Sequence, residues 1–265
     1  MTRPVRPKKA LGQHFLKDLQ IAERIAGTLS EYKSLPVLEV GPGTGVLTRF
    51  LLEAGHNLSV IEIDGESVRY LKEHFPALEG RITEGDFLQT DLTGIFSEPF
   101  CVIGNYPYNI SSQIFFKTLD YKDRIPLCSG MLQKEVAERL AAAPGSRTYG
   151  IISVLVQAWY DVTYLFTVSE DVFEPPPKVK SAVIRMQRNG RTELGCNEAL
   201  FKTVVKTAFN QRRKMLRNSM KPLLGKDCPQ YELPVFDKRP EQLSVEQFVE
   251  LTLLTGRCLK AQTDR

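Results

Sequence analysis

Seven residues, Glu39-Val40-Gly41-Pro42-Gly43-Thr44-Gly45, restrict the fold of this chain more than any other segment. They stand between Pro36–Val40, which reads as a short buried strand, and Val46–Ala54, where a helical pattern resumes. Three glycines in a strand-to-helix turn permit a tight bend and a close approach of a ligand to the backbone. A second apolar strand, Leu58–Ile63, carries Glu62 about twenty residues further on, where a carboxylate can accept hydrogen bonds from two ribose hydroxyls. A phosphate-binding loop of the Gly-Lys-Ser/Thr kind is excluded, because no such sequence follows. The glycines alone leave a dinucleotide and S-adenosyl-L-methionine both open.

The rest of the chain places that turn in an alternating α/β pattern. Asp18 is a plausible N-cap for a helix with Ile21, Ile25 and Leu29 along one face. Glu66–His74 reads as helix, Arg81–Thr83 and Phe100–Gly104 as strands, and Ser111–Leu119 as helix. A strand near Pro126–Leu132 and a helix over Gln133–Ala142 follow, the latter stopped by Pro144-Gly145. Ile151–Val168 is read as one long β-rich run and Val179–Met186 as a strand, which together predict an antiparallel hairpin at the sheet edge. A polar linker follows at 188–197, and only helical patterns come after it, ending with Val245–Leu259. The expected fold is α/β: a Rossmann-like, largely parallel sheet with an antiparallel edge strand, plus a small C-terminal all-helical domain. The expected domains are 1–190 and 196–265.

With 265 residues, 42% of them hydrophobic and 25% charged, the chain has an ordinary globular composition. No apolar stretch approaches the roughly 18 residues that a membrane span requires. Arg3, Arg6, Lys8 and Lys9 form a basic N-terminal arm, but no apolar core follows them, so a secretory signal is not expected. The five cysteines are scattered without CxxC spacing, so neither a metal site nor a disulfide framework is expected, and a cytoplasmic location is.

Two further segments bear on the choice of ligand. Glu84-Gly85-Asp86-Phe87 puts an acid at the end of the third strand, where an adenine amino group would lie. Glu39, Glu62 and Asp86 would then line one side of a pocket, and three carboxylates suit a sulfonium cation better than a pyrophosphate. The fourth strand ends in Asn105-Tyr106-Pro107-Tyr108. A carboxamide oxygen and a main-chain carbonyl can accept two hydrogen bonds from an exocyclic amine, the proline stiffens the loop, and the aromatic ring offers a stacking platform.

With these segments in hand, the chain resembles the class I S-adenosylmethionine-dependent methyltransferases. Within them it is most similar to the bacterial small-subunit rRNA adenine dimethyltransferases, the KsgA type. Gly12-Gln13-His14-Phe15-Leu16, the glycine turn, Ile61-Glu62-Ile63-Asp64 and the Asn105 tetrad carry the resemblance. So do Leu132-Gln133-Lys134-Glu135-Val136, Phe173-Glu174-Pro175-Pro176-Pro177-Lys178-Val179 and Phe209-Asn210-Gln211-Arg212-Arg213-Lys214. The resemblance implies that His14, Leu16, Gly41, Gly43, Glu62, Asp86 and Asn105 hold the cofactor. It implies that Asn105, Tyr106, Pro107 and Tyr108 hold the target adenine, with Phe173 over its other face. The substrate would be two adjacent adenosines near the 3′ end of 16S rRNA, in the small subunit or its precursor. A monomer is expected, with no metal and no membrane partner. The chain departs from the usual pattern with histidine at position 14 in place of asparagine and tyrosine at 106 in place of leucine.

Between Ala199 and Lys226 lie eight basic residues and no acidic one. Arg212, Arg213, Lys214 and Arg217 form its densest part, an electrostatic footprint for phosphates to which Lys178 and Lys180 add. Three other readings stay open at this level. A NAD-linked oxidoreductase shares the glycine turn. A large-subunit rRNA or DNA adenine methyltransferase shares the Asn105 tetrad. A ribosome-assembly factor acting mainly by binding would share the basic block.

Overall fold

The computed structural model describes residues 5–263, so Arg3 of the basic arm lies outside the described residues. These residues form two compact units, 5–137 with 161–188 and 138–160 with 189–263. The first is built on a seven-stranded sheet. Its strands are β2 (Val37–Val40), β3 (Leu58–Glu62), β4 (Ile82–Glu84), β5 (Cys101–Asn105), β6 (Leu127–Gln133), β7 (Tyr160–Val168) and β9 (Ser181–Arg188). They lie in the order β4-β3-β2-β5-β6-β9-β7. A separate two-stranded ribbon pairs β1 (Phe15–Leu16) with β8 (Phe173–Glu174).

The strands from β4 to β6 are parallel, and β9 runs antiparallel to β6 over Leu127–Gln133. Parallel strands need crossovers, and helices α2 (Val46–Glu53), α3 (Gly65–His74) and α4 (Ser111–Asp120) supply them. Every residue of β2 is buried, as expected of a strand covered on both faces. Helix α1 (Leu19–Ala26) starts where Asp18 accepts hydrogen bonds from the amides of Gln20 (2.9 Å) and Ile21 (3.2 Å). A cap of this kind contributes about 1 kcal/mol. Ile25 and Leu29, on the predicted apolar face, are fully buried. The order of strands reverses between β2 and β5, which opens a crevice at their C-terminal ends.

The second unit is helical: α6 (Ile151–Gln157), α7 (Glu198–Asn210), α8 (Leu216–Ser219), α9 (Lys221–Leu224) and α10 (Val245–Thr263). Helix α5 (Lys134–Leu140) runs from the first unit into it. Residues 151–168 are not the single β-rich run expected. Instead Ile151–Gln157 is helical, and only Tyr160–Val168 is extended. A short apolar run such as Ile-Ile-Ser-Val-Leu-Val has no periodicity to separate strand from helix. Here the Gly150 amide donates to Ser153 Oγ (2.9 Å), and Ser153 Oγ donates to the Arg139 carbonyl (2.5 Å). Ile152, Val154, Leu155 and Val156 are all buried, and that packing overrides β-propensity. The boundary read from the sequence put 138–160 with the first unit. In the structure the Gly145 amide bonds the Glu241 carbonyl (2.6 Å), and the Tyr149 ring lies 6.4 Å from that of Phe209.

Candidate functional site

The crevice at the ends of β2 and β5 holds a cavity of about 200 Å³. Each strand end delivers one part of its wall. The β2 end delivers the glycine turn, where Gly41, Gly43 and Gly45 all have positive φ (68°, 57° and 78°), a region open to glycine and strained for other residues. A Cβ on Gly43 would meet the Phe15 ring at 3.0 Å, so the bare backbone there is also a packing requirement. The β3 end delivers Glu62, the β4 end Asp86, and the β5 end Asn105 with Tyr106, Pro107 and Tyr108. Leu11–Leu16 close the cavity as a strap.

Of the residues singled out from the sequence, His14, Leu16, Gly41, Gly43, Glu62, Asp86, Asn105, Tyr106, Pro107 and Tyr108 all line this one cavity. Phe173 does not. It is fully buried in the core and pairs with Leu16 across the β1–β8 ribbon, so it supports the strap from beneath. Lys178 is exposed on the first unit.

Buried carboxylates set the electrostatics. Glu39 is 1% exposed, accepts a hydrogen bond from Thr48 Oγ1 (2.7 Å), and has its pKa pushed up to about 8. Burial is the main cause, and the nearby Glu62 adds to it, while the Thr48 bond opposes it. Glu62 is also raised by burial, against the bonds it accepts from the amides of Gly43 (3.0 Å) and Asp64 (2.9 Å). Each of its oxygens retains a further lone pair for a ligand hydroxyl. Asp86 Oδ1 accepts the Leu88 amide (2.8 Å). Among the described residues lining the cavity, Glu39, Glu62 and Asp86 are the acidic ones, with neither lysine nor arginine beside them. A pyrophosphate has no cationic partner in such a lining, whereas a cation does well there.

The strap and the Asn105 turn fix one another. Asn105 Nδ2 donates to the His14 carbonyl (3.2 Å), which ties up the donor half of the amide. The His14 ring reaches the Pro175 carbonyl (2.8 Å) and lies 5.2 Å from the Tyr108 ring. The Tyr108 hydroxyl bonds Ser181 Oγ. Tyr106 is buried, its amide bonded to the Met131 carbonyl (2.9 Å) and its hydroxyl donating to the Ser129 carbonyl (2.6 Å). The ring has room because Gly104 and Gly130 carry no side chain: a Cβ on either would come within 3 Å of it.

Sequence reasoning did not single out Lys8. Its ammonium pairs with Asp64 (2.5 Å) and Glu66 (3.5 Å), which latches the strap onto the N-terminus of α3. In sequence it was one of several arm cations, and its partner Asp64 lies 56 residues further on.

In the basic block of the second unit, Arg212 Nη2 donates to the carbonyls of Arg147 (2.5 Å) and Ser146 (3.4 Å). Arg217 is ion-paired with Asp237. Arg213 and Lys214 are exposed, and Lys214, Lys221 and Lys226 line a groove with Gln211 and Asn218.

This doubly wound sheet, with an acidic cavity at the ends of its strands, is the architecture of the class I S-adenosylmethionine-dependent methyltransferases. More narrowly, the chain belongs to the ribosomal RNA adenine dimethylase family, whose model matches residues 5–253. A Parabacteroides distasonis protein named ribosomal RNA small subunit methyltransferase A is 76% identical over 260 residues, 98% of each chain. A dimethyladenosine transferase from Plasmodium falciparum superposes with a TM-score of 0.78 at 27% identity, covering 92% of this chain and 98% of its own. The 23S rRNA methyltransferase ErmE gives a TM-score of 0.66 at 26% identity, covering 89% and 98%. The chain is thus an enzyme that methylates ribosomal RNA with S-adenosylmethionine as donor, and the oxidoreductase reading is set aside. No helix among the described residues is long and apolar enough to cross a membrane.

Proposed function

We propose that this enzyme dimethylates N6 of two adjacent adenosines near the 3′ end of 16S rRNA, in the cytoplasm, on the small subunit or its precursor. The 76% identity to a small-subunit enzyme, set against 26% to the large-subunit ErmE, favours that substrate over the large-subunit alternative. One chain carries every residue named for the site, which supports action as a monomer.

When bound, S-adenosylmethionine supplies an electrophilic methyl group on a sulfonium centre. Glu62 is assigned to the ribose hydroxyls and Asp86 to the adenine amine, with the Gly41–Gly43 turn giving the close backbone approach. Asn105 carries the chemistry in this reading. Its amide nitrogen is already held by the His14 carbonyl, so its Oδ1 is free to accept one N–H of the target amine. The Tyr106 carbonyl accepts the other. Two acceptors on an amine favour a pyramidal nitrogen whose lone pair is less delocalised into the ring. Tyr108 stacks on the flipped-out base, at an unstacking cost of a few kcal/mol. The departing proton goes to solvent, and alignment supplies most of the rate enhancement. Phe173 is left out of this assignment because of its burial.

For the RNA backbone the structure favours a different set from the densest part of the sequence. Arg212 and Arg217 are engaged within their own unit. Arg213, Lys214, Lys221 and Lys226 are exposed, and we assign the phosphates to them.

The test is labelled methyl transfer to small subunits that lack the modification, with the nucleotides identified by mass spectrometry. The wild type should yield two dimethyladenosines. Asn105→Ala should yield none while still folding and binding the particle. Near-normal turnover by that variant refutes the clamp. Modification of 23S rRNA in preference to 16S rRNA refutes the substrate.

A further inference from the structure

The turn that carries Asp86 is held from outside the cavity. The Asp86 carbonyl accepts the amides of Gln89 (3.1 Å) and Thr90 (2.9 Å) and the Thr90 hydroxyl (2.8 Å). Together with the Leu88 amide on Asp86 Oδ1, these bonds close residues 86–90 on themselves. A turn of this kind leaves its last carbonyls unpaired and partially negative, as the end of a helix does. One side chain serves two of them. Lys117, from the last turn of α4, donates to the Leu88 carbonyl (3.0 Å) and also to the Thr90 carbonyl. Its ammonium lies 5.4 Å from the centre of the Phe87 ring and 5.8 Å from that of Tyr121.

Lys117 does not line the cavity. Burial pushes its pKa down, while Asp86, Asp91 and Asp120 pull it up. Tyr121 fastens the next residues: its hydroxyl donates to Asp91 (2.9 Å) and accepts the Leu92 amide (3.3 Å). Helix α4 begins a few residues after Asn105. The element that follows the amine clamp therefore also grips the Asp86 turn.

We infer that Lys117 is a positioning residue that sets the enzyme's selectivity for an adenine-bearing cofactor, by fixing the Asp86 turn through the Leu88 and Thr90 carbonyls. This rests on the proposed contact between Asp86 and the adenine amine. A carboxylate can accept from an amino group but is repelled by the carbonyl oxygen that replaces it in hypoxanthine. Selectivity between the two bases therefore reads the placement of Asp86, whereas overall stability does not.

The experiment is calorimetric titration of the whole protein with S-adenosylhomocysteine and with S-inosylhomocysteine, with a melting curve on each variant. A hydrogen bond to a charged group corresponds to a roughly ten- to hundredfold preference of the wild type for the adenosyl compound. Lys117→Met keeps the apolar stem and removes the donors, and should shrink that preference about three- to tenfold. Lys117→Arg should restore it, and Lys117→Gln, which can serve one carbonyl, should fall between. If Lys117→Met does not fold, the Gln and Arg variants carry the comparison. An unchanged preference in Lys117→Met or Lys117→Gln, with both affinities lowered equally, overturns the inference and leaves Lys117 as a stability contact. Asp86→Ala separates the two levels. If it keeps the full preference, the Asp86 assignment itself has failed. If it loses the preference while the Lys117 variants keep it, the inference about Lys117 alone has failed.

Discussion

Replacing Glu39 by glutamine should make the protein more stable and a worse binder of its cofactor. The Glu39 carboxyl is buried on β2, and its pKa rises from the ordinary 4.5 to about 8. Between those values the folded state keeps a proton that the unfolded chain gives up. The unfolded state then binds fewer protons, so stability falls as pH rises through this window, by about 1.4 kcal/mol per pH unit. At pH 7, well above the ordinary 4.5, the cost has an upper bound of about 3 kcal/mol. Glutamine keeps the oxygen that accepts from Thr48 Oγ1 and does not titrate. Glu39→Gln should therefore be more stable than wild type at pH 7 by about 2–3 kcal/mol, a rise of roughly 2–4 °C for each kcal/mol.

The gap should nearly close at pH 5 and widen up to pH 8. The cofactor, S-adenosylmethionine, carries a positive charge. Binding a positive charge favours the ionised form, so wild-type affinity should rise with pH below 8 and binding should release protons. Glu39→Gln should lose both the pH dependence and part of the affinity. Thermal unfolding at pH 5, 6, 7 and 8, with titration calorimetry in buffers of different ionisation heat, reads all of this. A stability difference that is the same at every pH refutes the buried neutral carboxyl, and unaltered cofactor affinity refutes its role toward a cation.

Gly130→Ala should lower the melting temperature and methyl transfer together, because the new Cβ would land on the Gly104 carbonyl oxygen beneath the Asn105 turn. Adding Tyr106→Leu should not rescue it, since the obstructing atom is backbone; recovery in the double variant would show that the tyrosine ring is what Gly130 accommodates. Changing Arg213, Lys214, Lys221 and Lys226 together to alanine should lower the log–log salt slope of RNA binding by about 3–4 at 0.7–0.9 per phosphate. Arg212→Ala should instead lower the melting temperature with the slope unchanged, and RNA titrations at several salt concentrations with a melting curve decide between them.

The parallel half of the sheet was legible because each of its strands is short, apolar and ends in a residue with chemistry. Glu62, Asp86 and Asn105 come at the ends of β3, β4 and β5, so reading strand ends was enough to collect the cavity wall. Ile151–Gln157 was not legible, because an all-buried helix lacks the polar face that gives a helix its period. Aromatic identity likewise does not say whether a ring faces a ligand or the core, and the Phe173 ring lies in the core. Lys117 and Lys8 were invisible because their partners, two carbonyls and a helix-capping aspartate, lie far away in sequence. The basic block was legible in charge but not in which of its cations have partners. Sequence counts cations, whereas the structure shows that Arg212 and Arg217 already have partners.

The two departures from the family pattern, at 14 and 106, fall where the backbone meets the proposed clamp. At position 14 the carbonyl holds Asn105 Nδ2, while the ring anchors that carbonyl by reaching Pro175. At position 106 the proposed acceptor is again a main-chain carbonyl. The side chain points into the core, where Tyr106 bonds the Ser129 carbonyl and stacks edge-on against Phe115, with ring centres 5.6 Å apart. In both places the side chain can change so long as the main chain is held, and each substitution here brings its own anchor. Gly130 on the neighbouring β6 does not answer to the Tyr106 ring alone, since a Cβ there would first meet the Gly104 carbonyl oxygen. By contrast, the proposed clamp uses the Asn105 side chain, and a substitution there has no backbone atom to take over the contact. The proposal therefore expects tolerance at 14 and 106 and intolerance at 105.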